Sequence, residues 1–389
     1  MLRRYAGINA IFAGLIAVAI AMSVSVSSVE RALRDGSARA AEKFDLVVGA
    51  PGSELALLFS SVFAQPANIP LLDGDAFNAV ADSAGVTLAA PLGFGDSHEG
   101  VPIIGTTQAF VNHLGGGEVS EGRGFETPFD VIAGALHPIT IGESFEPAHG
   151  FGAAVVEGLH GDVLTVVGRM PATGSPWDHV LVTPIEGVWM THGLASGHAP
   201  GNERLGPPYD ARFFPGTPAV VVVPESLSSA YRLRNTFNSD PALMAIFPGT
   251  ELIELYSVLG DVRQVMAALA RLTQGIIAVG VLTALFILLR LFAQQLNLLA
   301  VLGAPDRFRL AVIWGYAGAL LTVGTVAGLG LGGVSALVIG RALTAETNIA
   351  IAARMGWGEV ANAAAFLTLS LVVALATSAL GLRRLRGSR

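Results

Sequence analysis

An α-helical membrane protein with four transmembrane helices, one before and three after a large α+β extracytoplasmic domain, is predicted by two features of the sequence. The first is a set of four long apolar segments, placed asymmetrically in 389 residues. One runs from about Ile8 to Ser27; the others are Leu272–Leu291, Leu310–Ile339 and Val360–Leu380. Each can cross a hydrocarbon layer of about 30 Å at about 1.5 Å per helical residue. The second feature is the mixed sequence between the first and second segments, residues 28–271. It is long enough to bury a sizeable core, and two subdomains are expected, since domains run to about 100–150 residues. Only 14% of the chain is charged, against about 25% in a soluble domain, because the apolar excess lies in the four segments.

Charge predicts the orientation. Residues 28–271 hold 12 Lys+Arg and 27 Asp+Glu, and the rest of the chain holds 11 and 3. Arginines cluster at Arg3 and Arg4, at Arg290, Arg307 and Arg309, and at Arg383, Arg384, Arg386 and Arg389. Four spans put all three clusters on one side, which the positive-inside rule makes the cytoplasm. The expected location is therefore the bacterial inner membrane, multi-pass, with the acidic domain in the periplasm. An acidic domain also excludes nucleic acid as a partner, which needs a basic footprint. With no cysteine, disulfides and thiol chemistry are excluded. Arg3-Arg4 and Ala38-Arg39-Ala40 imitate parts of a cleaved signal. The first apolar stretch exceeds the roughly 7–15 residues of a signal core, however, so a retained anchor is expected.

Between the spans, Val-rich runs closed by Gly or Pro predict strands at Asp45–Val48, Leu164–Val167, Val180–Thr183 and Ala219–Val223. Helices are predicted at Ser53–Phe63 and Ser226–Phe237. Val29 to Glu42 reads as a helix continuing out of the membrane, with Asp35-Gly36 as its weak point. Five prolines and four glycines between Leu194 and Pro218 predict a long exposed loop. Leu259, Val262, Met266 and Leu269 recur at spacings of three, four and three, a narrow seam for packing one helix along another. That helix is either half of a stiff stalk or merely the end of a helix of the domain. Gly324, Gly328 and Gly332 lie on one face of the third span, where small residues let helix backbones approach.

Catalytic signatures are missing. There is no phosphate-binding Gly-x-x-x-x-Gly-Lys-Ser/Thr loop and no Gly-x-Ser-x-Gly elbow. His98-Glu99 has no second histidine three residues on, so the zinc-protease pattern fails. Span interiors carry almost no ionisable residue, which argues against an ion-coupled carrier. Arg290, near the cytoplasmic end of the second span, snorkels to the headgroups. All eight histidines fall between residues 98 and 198. His179, His192 and His198 form the densest group and are the candidate metal ligands, although their spacing matches no compact ligand motif.

Two stretches carry a resemblance. Leu298-Leu-Ala-Val-Leu-Gly-Ala-Pro305, after the second span, resembles the cytoplasmic signature of the MacB-type, FtsX-like permeases of ABC transporters. Asp45-Leu-Val-Val-Gly-Ala-Pro-Gly-Ser-Glu-Leu-Ala-Leu-Leu-Phe-Ser-Ser-Val-Phe63 is similar to the opening of the exterior domain in one subgroup. Pro171-Ala172-Thr173-Gly174 and Val188-Trp189 fit the same subgroup, and the layout of one span, a domain and three spans fits the family. Leu296-Asn297 departs from the Glu-Ile that the family usually has there.

The resemblance implies a non-catalytic permease subunit whose exterior domain is a MacB-like periplasmic core. It binds no cofactor itself; ATP and Mg belong to a separate cytoplasmic ABC ATPase. The implied partners are that ATPase, a second permease copy or paired permease, membrane lipid, and a periplasmic adaptor or substrate protein. The implied organisation is 1–28 with the first span, 29–271 as the exterior domain with stalk helices at both ends, and 272–291 as the second span. A cytoplasmic coupling helix at 292–309 and two more spans in 310–389 complete it. Asn297, Ala300, Leu302, Gly303, Ala304 and Asp306 would meet the ATPase. The expected work is mechanical transmission of ATP hydrolysis to the exterior domain, moving a lipoprotein, lipid or peptide. The alternatives are a membrane-anchored regulator, of a cell-wall hydrolase or a sensor, and a periplasmic metal-handling module.

Overall fold

The structure, a computed structural model, describes residues 6–150, 156–159, 161–257, 298–299, 301–347 and 351–387, with single positions between 268 and 283. Residues 34–257 form an α+β unit, and the long apolar helices form a second unit.

After a first helix, α1 (Ala6–Ala41), the chain continues through β1 (Leu46–Gly49), α2 (Glu54–Val62), α3 (Gly74–Ala81), β2 (Val86–His98), β3 (Val101–Thr106), α4 (Gln108–Gly115) and β4 (Glu121–Gly122). It goes on through β5 (Asp130–Ala133), β6 (Ser144–Phe145), β7 (Ala148–His149), β8 (Val156–Leu159), β9 (Leu164–Arg169) and β10 (Leu181–Pro184). The unit closes with α5 (Ile185–Thr191), β11 (Ala219–Pro224), α6 (Leu227–Ser239) and β12 (Met244–Ile246). The four predicted strands are β1, β9, β10 and β11, and the two predicted helices are α2 and α6. Both helices start at a serine cap. Ser53 Oγ accepts from the Ala56 N–H, and Ser226 Oγ from the Ser229 N–H, satisfying one of the orphan donors of the first turn.

The strands form one sheet, ordered β12-β1-β11-β2-β3-β10-β5-β9-β4. Two pairs, β3–β10 and β5–β9, are parallel. The expectation of two subdomains is corrected by β2. Its 13 residues extend about 43 Å at about 3.3 Å per residue. Val86–Leu92 pairs with β11, and Gly93–His98 pairs with β3, so one strand belongs to both halves. Two apolar clusters line this sheet. One gathers Leu46, Phe77, Trp189, Phe214 and Val220; the other gathers Ile103, Val131, Phe145, Val166 and Leu181.

The predicted exposed loop, 194–218, is irregular and is exposed over residues 199–204, but its later part is anchored in the core. Tyr209 and Phe214 are buried, with ring centroids 5.7 Å and 4.8 Å from Trp189. Phe214 also stacks on Phe77 at 5.0 Å. Thr217 exchanges backbone hydrogen bonds with Leu72 at 2.8 and 3.0 Å. Prolines and glycines deny this segment a helix or a ladder, yet its aromatics still gain by leaving water.

In the helical unit, α1, α7 (Asp306–Thr347) and α8 (Trp357–Gly387) are long and apolar enough to cross a membrane. Ile11, Leu15 and Met22 of α1, Val323, Val326 and Val334 of α7, and Leu369 and Val372 of α8 are exposed. Helices apolar on their outer faces suit a lipid surround. Gly36 does not interrupt α1. The predicted second span, 272–291, lies outside the described residues except for single positions, among them Leu272, Ile276 and Val279, which are helical and exposed. The seam residues Leu259, Val262 and Met266, with Leu269, lie outside them as well. Just before that seam, the helical residues 248–257 meet the last turns of α1. Tyr256 donates to Ser37 Oγ at 2.7 Å, and the Arg34 guanidinium lies 5.3 Å from the Tyr256 ring centroid.

Candidate functional site

A polar cluster forms where β2 slips its register. Phe94 pairs with Ile104 of β3, but the next pair is Asp96 with Ile103, so Gly95 is the extra residue of a bulge. Beyond the bulge, Asp96 stands opposite His149 of β7. Gly95 leaves room above the strand: a Cβ there would lie 2.9 Å from His192 Cε1. His192 follows α5, and its Nδ1 lies 2.7 Å from the Val188 carbonyl. A carbonyl only accepts, so Nδ1 carries the proton and Nε2 presents its lone pair in the neutral ring. Asp96 Oδ1 lies 3.4 Å from His149 Nδ1 and 3.5 Å from His192 Nε2. The Asp96 side chain is 4% exposed, against 28% for His192 and 44% for His149, so the cluster has a dry floor and one open side. Among the described residues, this trio offers donor atoms all within 4.8 Å of one another.

The predicted trio of histidines is not the one assembled. Only His192 belongs to the cluster. His179 closes the short 3-10 turn Pro176–His179. His198 is buried, its ring tilted against Tyr209 at 5.2 Å and its Nε2 3.8 Å from Glu186 Oε1. Burial there lowers the imidazole below its ordinary range. It also raises the Glu186 carboxyl, opposed by the 2.7 Å hydrogen bond from the Gly206 N–H. Burial, with the Glu186 charge beside it, holds the Tyr209 phenol well above its usual value. Asp96 and His149 were missed because no local spacing links them; strand register alone brings them together.

The expected coupling segment is described in part. Leu302 N–H bonds the Leu298 carbonyl at 3.0 Å, and Ala304 N–H bonds the Leu299 carbonyl at 2.9 Å. Gly303 takes the left-handed conformation, φ 85°. This six-to-one bond over a left-handed glycine is the Schellman closure of a helix. Pro305 follows, and α7 begins at Asp306, which is paired with Arg309. The expectation of one helix over 292–309 is therefore corrected: a helix end and a helix start meet at a capped turn, because neither Gly303 nor Pro305 can continue a helix. Leu298, Val301 and Leu302 are 61%, 78% and 75% exposed. Asn297 and Ala300 lie outside the described residues.

The glycine row packs against α1 of the same chain. A Cβ on Gly324 would lie 2.8 Å from Ile16 Cβ, one on Gly328 2.7 Å from the Ala17 carbonyl oxygen, and one on Gly332 2.7 Å from Val24 Cβ. Ile16, Ile20 and Val24 are spaced by four and buried, so ridges of α1 fill the flat face of α7. Polar contacts flank this seam. Ser25 hydroxyl meets Ser335 hydroxyl, Tyr316 donates to Asn9, and Arg31 pairs with Glu359 at 2.6 Å.

No family model matches the chain, and no curated protein matches it. Solved structures similar to part of it include two exterior domains of transporters. One is the periplasmic region of MacB from Actinobacillus actinomycetemcomitans, 11% identical, with a TM-score of 0.34 over 55% of this chain and 94% of that one. The other is the extracellular domain of the noncanonical ABC-type transporter YknZ from Gram-positive bacteria, 14% identical, with a TM-score of 0.30 over 52% of this chain and 98% of that one. Overlaps this loose carry no weight for what this chain does.

Proposed function

We propose that the chain is the non-catalytic membrane subunit of an ABC transporter, working with a second permease copy and a separate cytoplasmic ATPase. The observation that carries this reading is the apolar surface at the 298–306 turn. Leu298, Val301 and Leu302 are exposed beside a capped helix end, in a connection whose neighbours Arg307 and Arg309 belong to a basic cluster expected to be cytoplasmic. Exposed apolar side chains grouped on a rigid turn suit a protein contact. The same residues fall in the stretch that resembles the ATPase-docking signature of the FtsX-like permeases.

In this reading, nucleotide-driven closure of the ATPases displaces that turn. The close-packed α1–α7 pair and the unbroken α1 carry the displacement toward the α+β domain on the other side of the membrane. No ionisable lining for a central pore is required. The domain itself then grips or releases a lipoprotein, lipid or peptide.

Leu302→Glu tests the contact without touching the turn's geometry, since it leaves Gly303 in place. Affinity purification of the full chain from its native membrane, followed by mass spectrometry, should recover an ABC ATPase. The variant should recover at least about tenfold less, the effect of losing about 1.4 kcal/mol of binding. Equal recovery, with Leu302→Glu still membrane-inserted, overturns the docking assignment.

A further inference from the structure

We infer that Asp96, His149 and His192 form a binding site for a divalent late first-row metal ion, with zinc as the fitting case. The site lies within the α+β unit and stands apart from the ATPase reading, which uses none of its residues.

Distance is the first argument. In a tetrahedral site with metal–ligand arms of about 2.1 Å, neighbouring ligand atoms are about 3.4 Å apart. Asp96 Oδ1 is 3.4 Å from His149 Nδ1 and 3.5 Å from His192 Nε2. Direct N–H···O hydrogen bonds run to about 3.2 Å, so both contacts are longer than that bond and match a ligand edge. All three donor atoms lie within 4.8 Å of one another, leaving only a small closure to bring the two nitrogens onto one ion.

Ring orientation is the second argument. The Val188 carbonyl takes the Nδ1 proton of His192 at 2.7 Å. That outer contact fixes the tautomer and aims the Nε2 lone pair at the cluster, as in metal-bound histidines generally. Gly95 provides the clearance for this ring, because a Cβ would be 2.9 Å from Cε1.

Chemistry narrows the ion. Two imidazoles and one carboxylate suit zinc and its neighbours, whereas magnesium and calcium want oxygen alone. Among the described residues these three supply the donor atoms, around a buried carboxylate and with His149 half exposed; a tetrahedral ion takes one ligand more. The bound ion would tie β7 to the β2 bulge and to the end of α5.

The test uses the full chain purified in detergent, stripped with a chelator and titrated with zinc against a chromophoric competitor. One zinc per chain is expected, with Kd at or below about 1 μM. His149→Gln and His192→Gln should each weaken binding by at least about tenfold, the lower bound seen even for outer-shell changes. Cobalt(II) should give the intense visible absorption of a four-coordinate site, lost in both variants. His149→Cys, which replaces one zinc ligand with another, should restore binding and separates ligand loss from misfolding. Zinc bound as tightly by the double variant His149→Gln/His192→Gln, or no competition by the wild type at micromolar zinc, overturns the site.

Discussion

Asp130 illustrates how single side chains hold the irregular parts of the α+β unit. Its buried carboxylate accepts from Arg123 at 2.6 Å, from the Glu126 and Thr127 N–H groups at 2.8 and 3.0 Å, and from the Thr127 hydroxyl at 3.0 Å. Burial pushes this carboxyl up, but the Arg123 bond and the backbone donors outweigh burial and leave it below the usual range. A lowered folded value means that the unfolded chain binds the proton more tightly. The resulting stability is therefore complete above about pH 4 and is lost as pH falls through the folded value. Asp130→Ala should cost about 2 kcal/mol at neutral pH, since several donors lose one acceptor. Its deficit against the wild type should shrink on acidification. Thermal melts at pH 7 and pH 3.5 measure both, and a deficit independent of pH removes the carboxylate from this role.

The contact of α1 with α7 depends on glycine at three positions and on none of the others nearby. Gly330 lies two residues from both Gly328 and Gly332, on the opposite side of the helix, and has open space where a Cβ would go. Gly328→Leu should therefore overpack the pair by about 1–3 kcal/mol, while Gly330→Leu should be close to neutral. Detergent melts of the two variants make the comparison. Equal melting temperatures would mean that the seam contributes little to helix association. Within one chain the row meets Ile16, Ile20 and Val24. On its other faces α7 exposes Val323, Val326 and Val334.

The full chain joins an acidic α+β unit to apolar helices whose ends carry arginine, and its orientation can be read directly because it contains no native cysteine. Single cysteines at exposed positions, Leu227→Cys in the α+β unit and Val301→Cys in the 298–306 turn, make clean reporters. A membrane-impermeant maleimide on spheroplasts should label Leu227→Cys at once. It should reach Val301→Cys only after permeabilisation. The reverse pattern would invert the orientation and end the ATPase reading, whereas labelling of both would require an even number of crossings between them.

Much of this protein is written in local sequence. Apolar length sets the spans, serine caps set the starts of α2 and α6, and Val-rich runs set β1, β9, β10 and β11, because each depends on neighbours within a few residues. Gly303 and Pro305 likewise act locally, stopping the helix within the expected coupling segment. What tertiary structure alone decided are the features made by register and packing. The sharing of β2 between two halves of one sheet, the burial of Tyr209 and Phe214 out of an irregular segment, and the meeting of Asp96, His149 and His192 all belong here. Those residues lie tens of positions apart, and a one-residue slip at the Gly95 bulge would turn Asp96 to the opposite face of its strand. No spacing rule can carry that information, because the pairing that creates the cluster is a property of the folded sheet.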